Sequence, residues 1–400
     1  MRKFISICVL ILFITSGLSA QITVSGILDT TISGKAGAGD SPAFSFGFEE
    51  YANIRFQARM REMAVIHAAV NLIAAAGDFA ADAAMLASQR IGLPLGLTAF
   101  ISGDNYLAAI ELERLYFRLR TTHIDIDSGL FRIPFGYGQM WGPSDFLNPR
   151  NPLKPDARPR GVLGATLTWF PIDELKLLWF YAAPINALTR EGMGSLVGIS
   201  MDKHWDKASL QVLYSYETPI TNSTPPLIDS SFGKHRAGIS VKADVEVGLV
   251  MEALYTYNHE ERTDHEGLSV SAGIDYSFFD GKFMILAEYL YNGKKSSTAL
   301  GYGGSFSNNH YLYTGFTFKF NDFINMTAAL LSGFDDISFT PIISFNYELF
   351  QGATLIITAQ VPLDRDLFHQ NGKRGELGPL APDMTLGSYF ICNVKLRLRF

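Results

Sequence analysis

Arginine side chains recur at even spacing in several separate parts of the chain, so that within each part they would share one face of an extended segment. The guanidinium group is always charged and makes forked hydrogen bonds with carboxylates. Acidic residues stand nearby in sequence at Glu111, Glu113, Asp125 and Asp127. Two interpretations stay open. In the first, the arginines and acids form salt bridges that keep the charges on this face paired. In the second, the arginines produce an electric field across a cavity, which orients solutes and favours anions. The arginines are Arg55, Arg59, Arg118, Arg120, Arg132, Arg397 and Arg399.

A second basic group lies in the proline-rich stretch that begins at Phe131. Five prolines fall between Pro134 and Pro155, which excludes a regular strand and disfavours a helix. We therefore predict a long loop over 134–160. It would present four more cations, either as a constriction inside a larger structure or as an ordinary surface loop stiffened by proline. These cations are Arg150, Lys154, Arg158 and Arg160.

Sequence signatures of catalysis are missing. The chain has no His-Glu-Xaa-Xaa-His motif, no Gly-Xaa-Ser-Xaa-Gly elbow and no phosphate-binding loop. Its two cysteines, Cys8 and Cys392, exclude a disulfide scaffold and a four-cysteine zinc site. We therefore predict that the protein is not an enzyme and uses no cofactor or metal.

The composition excludes two further classes of protein. Among 400 residues, 33 are basic and 39 acidic, with a formal charge of −6. Apolar residues make up 48% and charged residues only 18%, too apolar for a disordered chain and too acidic for a nucleic-acid binder.

The first twenty residues have the pattern of an export signal. Arg2 and Lys3 precede an apolar run from Phe4 to Thr15, and small residues end the segment at Ala20. The run is shorter than the ~20 residues that a spanning helix needs. We predict a signal peptide over 1–20 and a single domain over 21–400.

The last residues of the chain alternate strictly between two kinds of side chain. One face of the segment is apolar and ends on Phe400, whereas the other holds Asn393, Lys395, Arg397 and Arg399. A period of two is that of a β-strand, with one apolar and one polar face. The same alternation recurs over 52–60, 208–217 and 237–244, with Leu213 as an exception, whereas 283–290 is apolar on both faces apart from Glu288.

The connections between these segments alternate between short and long. Eight short turns and nine longer polar segments would join eighteen strands. Sixteen is the alternative, because the loop 333–337 is short and the strand near Ser195 is weak. The predicted turns lie near 61–62, 121–122, 172–174, 203–206, 244–247, 280–281, 321–322 and 350–352. The predicted long loops lie near 32–45, 76–105, 134–160, 183–193, 218–233, 259–266, 293–308, 333–337 and 362–383.

The export signal, the alternating strands and the final Phe400 together resemble bacterial outer-membrane β-barrels of the porin type. The resemblance implies an all-β fold: one transmembrane antiparallel up-and-down barrel of about 18 strands, with short periplasmic turns and long extracellular loops. It also implies the outer membrane of a diderm bacterium as location, with lipid around the barrel. The barrel assembly machinery would recognise the C-terminal Phe400 strand.

The same resemblance carries an expectation for function. In general porins the third long loop folds into the lumen, and here that loop is 134–160. We expect a channel for passive diffusion of small hydrophilic solutes, possible homo-oligomers and no nucleic-acid partner. The alternative is a surface adhesin or structural barrel without significant pore activity.

A further expectation concerns ion selectivity. If the first and last strands are adjacent, the seven arginines named above form one cationic arc of the wall: Arg55, Arg59, Arg118, Arg120, Arg132, Arg397 and Arg399. Arg150 and Arg158 would reinforce this arc from the third loop. We therefore predict a mild preference for anions.

Overall fold

Antiparallel strands follow one another along most of the described chain of the computed structural model. The structure describes residues 20–37, 44–60, 63–77, 99–103, 105–148, 161–183, 194–219, 233–258, 267–293, 308–335, 337–361, 363 and 388–400. The predicted signal peptide lies outside these residues except for Ala20, which begins the first strand. Within this part of the chain, no helix is long and apolar enough to cross a membrane.

Nineteen strands are present in this part of the chain, and consecutive strands meet at seven of the eight predicted short turns, whereas residues 61–62 of the remaining turn lie outside the described residues. The strands are β1 (Ala20–Gly37), β2 (Phe44–Met60), β3 (Ala64–Gly77), β4 (Ala99–Gly103), β5 (Tyr106–Arg120), β6 (Ile124–Phe131), β7 (Val162–Ile172), β8 (Leu175–Ala182), β9 (Leu196–His204), β10 (Ala208–Glu217), β11 (Lys234–Asp244), β12 (Gly248–Asn258), β13 (Leu268–Phe278), β14 (Phe283–Asn292), β15 (His310–Lys319), β16 (Ile324–Gly333), β17 (Ser338–Phe350), β18 (Ala353–Gln360) and β19 (Ser388–Arg399).

Eighteen of these strands close into a barrel. β1 pairs with β2 on one side and with β19 on the other. Gly26 and Phe400 exchange backbone hydrogen bonds of 2.7 and 3.2 Å at the end of the closing pair. A Cβ atom on Gly26 would collide with the Phe400 ring, so the absence of a side chain there lets the last residue lie flat on the first strand. The predicted count of 18 strands is confirmed.

The nineteenth strand, β4, corrects one of the predicted loops. It pairs with 106–110 of β5 in a hairpin inside the segment 76–105 that we predicted to be loop. Residues 106–110 of β5 pair with β4 on one side and with β3 on the other. β6 pairs with β5 only from Leu115 onward. β4 therefore takes the place beside β5 that β6 leaves open at the end of the barrel away from the 121–122 turn, and it does not add a full strand to the barrel. β1 and β2 likewise run further into the predicted loop 32–45 than expected.

The alternation along the strands separates two environments. On β12, Met251 is 61% exposed on the outer face, whereas Glu252 is 2% exposed on the inner face. Large apolar side chains on the outside of all parts of the barrel remain exposed, as expected for a wall in contact with hydrocarbon. On the described strands the opposite face carries Arg55 and Arg59 of β2, Arg118 and Arg120 of β5, and Arg397 and Arg399 of β19.

A β-bulge in β5 changes which residues face inward. Ala69 pairs with Arg114 and Val70 pairs with Leu112, so Glu113 is one extra residue on β5. An extra residue reverses the alternation beyond it. Glu111, at an odd position before the bulge, and Arg118, at an even position after it, consequently lie on the same inner face. Strict alternation would have placed them on opposite faces.

Candidate functional site: an inner segment and a charged wall

The chain between β6 and β7 enters the barrel and lies along its inner surface over residues 132–148. Its backbone N–H groups are hydrogen-bonded to side chains of β10, β12 and β14, which are 75 to 149 residues away in sequence. The first of these contacts is from Gly136 N–H to the side-chain oxygen of Gln211, at 2.6 Å. Residues 149–160, with Arg150, Lys154, Arg158 and Arg160, lie outside the described part of the chain.

Glu252 on β12 holds the first turn of this inner segment. Its carboxylate accepts hydrogen bonds from the backbone N–H groups of Tyr137 and Gly138, both at 2.5 Å, and of Ser144 at 3.2 Å. Ser240 Oγ donates to Ser144 Oγ at 3.0 Å from the neighbouring strand β11. Three backbone donors that strand or helix formation would otherwise satisfy are thus paired with a single acid.

Glu288 on β14 holds the following residues in the same way. It accepts backbone N–H groups from Gln139 at 3.1 Å, Met140 at 3.0 Å and Trp141 at 2.7 Å. The indole N–H of Trp141 donates to the backbone carbonyl of Glu288 at 3.2 Å, and the Trp141 ring lies 5.6 Å from the ring of Tyr311. Hydrogen bonds to a carboxylate are stronger than those to a neutral acceptor, so the segment is firmly attached.

Apolar side chains of the wall pack beneath the segment. Phe135 contacts a cluster that includes Phe180, Leu213 and Leu254, while Trp141 packs in a second cluster with Leu286 and Leu290. These inward apolar residues account for the irregular strands in the sequence: Leu213 breaks the alternation, and 283–290 is apolar on both faces, because the segment covers them.

Burial also raises the pKa of the Tyr137 hydroxyl to about 12, assisted by the charge of Asp202.

Two glycines allow the segment to approach the wall. Gly136 has φ of +75°, which is unfavourable for other residues, and a Cβ there would meet the Glu252 carboxylate. A Cβ on Gly138 would collide with the carbonyl oxygen of Trp141. The Phe-Gly-Tyr-Gly sequence is therefore required by the turn that brings consecutive N–H groups onto Glu252 and Glu288.

The segment is also braced internally, and this brace uses one of the predicted arginines. Arg132 Nη2 lies 2.7 Å from Asp145 Oδ2, and Asp145 Oδ1 accepts the backbone N–H of Phe135 at 3.2 Å. Asn148 Oδ1 accepts the backbone N–H of Ile133 at 2.8 Å. Arg132 thus fixes the shape of the segment through an ion pair.

Three further predicted arginines are ion-paired on the wall. Arg397 forms a forked pair with Asp29 across the closing strands, at 2.8 and 2.7 Å. Arg118 forms a similar pair with Asp127 at 2.6 and 3.0 Å, and Arg120 lies 3.6 Å from Asp125. The interpretation as a salt-bridged wall therefore describes these residues.

The remaining predicted arginines of the described chain are arranged differently. Arg55 Nε donates to Asn53 Oδ1 at 2.6 Å, and Asn53 in turn donates to Glu113 at 2.6 Å. No carboxylate of the residues that the structure describes lies within ion-pairing distance of Arg55, Arg59 or Arg399. All three belong to β2 and β19, on either side of β1. They form a group of inward cations, which we call the basic arc.

Sequence reasoning missed the two residues that hold the inner segment. Glu288 was visible only as the one acid in an otherwise apolar strand, and Glu252 as an acid in the run Leu249–Tyr255. An isolated acid in an apolar strand needs hydrogen-bond donors, and this was the only available signal. The donors come from a loop more than 100 residues earlier, which local sequence does not reveal.

Several solved outer-membrane proteins have the same fold. Pseudomonas aeruginosa OccK2 (OpdF), in complex with glucuronate, matches with a TM-score of 0.56 and 10% identity over 95% of this chain and 98% of that one. Acinetobacter baumannii OccAB3 matches with a TM-score of 0.54 and 10% identity, covering 95% and 99% of the two chains. Pseudomonas aeruginosa opdK matches with 0.54 and 8%, covering 95% and 98%. These neighbours are outer-membrane porins, and at this identity the likeness is one of fold.

No protein-family model matches the sequence, and neither does any curated protein.

Proposed function

We propose that this barrel is a porin-like channel of the outer membrane of a diderm bacterium, through which small hydrophilic solutes diffuse passively. The observation that carries the proposal is the inner segment 132–148, attached to β10, β12 and β14 on one side of the lumen. A barrel of eighteen strands is too wide for side chains alone to fill. The segment, continued by the rest of loop 134–160, would narrow the passage towards the opposite wall, where the basic arc lies.

Small anions are the solutes that this arrangement would favour. The arc presents Arg55, Arg59 and Arg399 without a carboxylate among the described residues within ion-pairing distance. The structure of OccK2, which has the same fold, contains glucuronate, a small carboxylate. A guanidinium group binds such a carboxylate through a forked pair of hydrogen bonds. We extend the proposal to small organic carboxylates as preferred solutes.

Two partners complete the proposal. The exposed apolar wall calls for surrounding lipid, and the C-terminal strand ending in Phe400 would be the signal for the barrel assembly machinery. A homo-oligomer is also consistent with a porin. Migration of the unheated and boiled protein on a gel would distinguish a folded monomer from an oligomer.

Reconstitution into planar bilayers tests the proposal. The refolded protein should give stable, ohmic conductance steps, and vesicles containing it should swell in small sugars and carboxylates. A folded barrel that gives no conductance would contradict the proposal and favour the adhesin or structural alternative.

Charge reversal of the basic arc should change ion selectivity. The triple variant Arg55→Glu, Arg59→Glu, Arg399→Glu should move the reversal potential in a salt gradient towards cation preference. Three reversed charges ~10 Å from a permeating ion, screened by salt, change the energy of an anion and of a cation by about 1 kcal/mol each in opposite directions, which is about thirtyfold in the permeability ratio. The matched triple variant to lysine keeps the charges and should keep the wild-type selectivity. Unchanged selectivity in the glutamate variant would show that the arc does not face the ion path.

A further inference from the structure

Two histidines stand on the outer face of the barrel, each at the end of its strand away from the short turns. His235 is the second residue of β11, and His310 is the first residue of β15. On the same outer face of these strands, Ile239 and Phe316 are exposed and apolar. An imidazole is an unusual group to place at the boundary of such a surface, and the surroundings of the two are alike.

The first histidine is held by tyrosines of the adjacent strands. Tyr214 OH lies 2.7 Å from His235 Nδ1. Tyr216 pairs with His235 in the register of β10 and β11, with ring centroids 4.9 Å apart. On the other side, Tyr257 of β12 pairs with the same histidine, at 6.4 Å between ring centroids.

The second histidine repeats this arrangement two hairpins further round the barrel. Tyr289 OH lies 2.6 Å from His310 Nδ1, and Tyr291 pairs with His310 in the strand register, with ring centroids 5.3 Å apart. In both sites a Tyr-Xaa-Tyr sequence on one strand faces the histidine of the next, and the bonded pair is 21 residues apart. Because the same Tyr–His geometry occurs at two places on the outer face, we infer that the two sites have the same role.

The height of the two sites in the wall suggests what that role is. Each histidine lies nine residues from the turn-side end of its strand, Asp244 or Lys319. At ~3.3 Å per residue and a tilt of ~40°, this is about 23 Å, close to the ~25 Å height of the apolar band of outer-membrane barrels. Exposed aromatic residues, Phe318 and Phe320, mark the turn-side edge of the band. The histidines therefore stand at the opposite edge, at the level of lipid headgroups.

We propose that each Tyr–His pair binds a phosphate group of a lipid headgroup in the outer leaflet. The proposal rests on the membrane location given under the proposed function. With the tyrosine hydroxyl donating to Nδ1, the other ring nitrogen carries its hydrogen away from the pair and can donate to a phosphate oxygen. A hydrogen bond to a charged phosphate oxygen is stronger than one to a neutral acceptor. Near the first site Glu217 pairs with Arg236 at 2.7 Å, and near the second Asp335 accepts the backbone N–H of Asn309 at 2.7 Å.

Heat unfolding of the barrel in vesicles of defined lipid tests this inference. The wild type is reconstituted in phosphatidylcholine alone, with added phosphatidic acid, and with the same mole fraction of phosphatidylglycerol, and unfolding is followed by gel mobility. Phosphatidic acid, which carries a phosphomonoester, should raise the unfolding midpoint by a few degrees, and phosphatidylglycerol by less. In the double variant His235→Ala, His310→Ala, phosphatidic acid should no longer raise the unfolding midpoint above its value in phosphatidylcholine, whatever that value is.

Two control variants separate the sites from general effects. His123→Ala with His204→Ala removes two histidines at the turn side and should keep the full shift. Tyr214→Phe with Tyr289→Phe keeps the rings but removes the hydroxyls that orient the imidazoles, and should reduce the shift. A full shift in the His235/His310 variant would overturn the inference. So would inorganic phosphate producing the same shift in pure phosphatidylcholine, because the ligand would then be a soluble anion. Normal conductance with no lipid effect would refute this inference alone, whereas a folded barrel without conductance would refute the proposed function.

Discussion

Replacing both Glu252 and Glu288 with alanine is expected to convert steady channel currents into currents interrupted by frequent partial closures. The two carboxylates accept six backbone N–H groups of the inner segment. A buried donor left without a partner costs ~1 kcal/mol or more, even where lumen water can replace some of the bonds. Loss of six acceptors therefore removes on the order of 6 kcal/mol of attachment. The apolar packing of Phe135 and Trp141 and the Gln211 contact remain, so the segment should leave the wall only transiently and enter the aqueous passage.

Single-channel recordings in planar bilayers would measure this effect. Glu174→Ala is a suitable control, because that acid is exposed at a turn and pairs only with Lys203 among the described residues. The double variant Glu252→Gln, Glu288→Gln keeps one acceptor oxygen at each position and should give an intermediate frequency of closures. Quiet currents at the wild-type level in the double alanine variant would show that the carboxylates do not hold the segment.

Replacement of Asp29 by alanine should markedly lower the heat stability of the barrel. Asp29 is 4% exposed and holds Arg397 through two hydrogen bonds across the strands that close the barrel. Removing one partner of a buried ion pair leaves an uncompensated charge, which costs about 3 kcal/mol. The temperature at which the folded band disappears on a gel would report the loss.

A second substitution distinguishes this explanation from a general weakening of β1. Asp29 also lies 3.9 Å from Lys395 Nζ. Adding Arg397→Ala to Asp29→Ala removes the more closely bound of these two cations, so the double variant should recover part of the lost stability. Asp244→Ala, which breaks an exposed pair with Lys242, should change stability by no more than about 0.5 kcal/mol. Equal losses in the Asp29 single variant and in the double variant would contradict the account of the pair.

The sequence was sufficient to predict the barrel because the determinants of its strands are local. A polar and an apolar face alternate within each strand, and the short turns near 121–122, 280–281 and 350–352 divide the chain where the structure does. The adjacency of the first and last strands followed from the closed architecture. The sequence indicated a shared face for Arg397 and Arg399 but gave no partner for either, and the role of these arginines in the lumen stays a prediction.

What could not be predicted depends on contacts between distant parts of the chain. The bulge at Glu113 is visible only when β5 is aligned with β3, and Asp29 and Arg397 are 368 residues apart. The strand β4 was missed because the five residues 99–103 form a strand only by pairing with β5. The roles of Glu252 and Glu288 depend on the path of the inner segment, for which the sequence offers prolines and glycines but no direction. The basic residues of 149–160 remain predictions.

A designed disulfide between the inner segment and the wall tests most directly that this segment lies inside a conducting barrel. Ser144 and Ser240 are both fully buried, and their Oγ atoms are 3.0 Å apart. In a Cys392→Ser background, the variant Ser144→Cys, Ser240→Cys should form a disulfide on air oxidation, since the two side chains already touch. Its conductance should equal that of the wild type before and after reduction. Two thiols that remain free to react with a maleimide, or a disulfide that abolishes the current, would contradict the account.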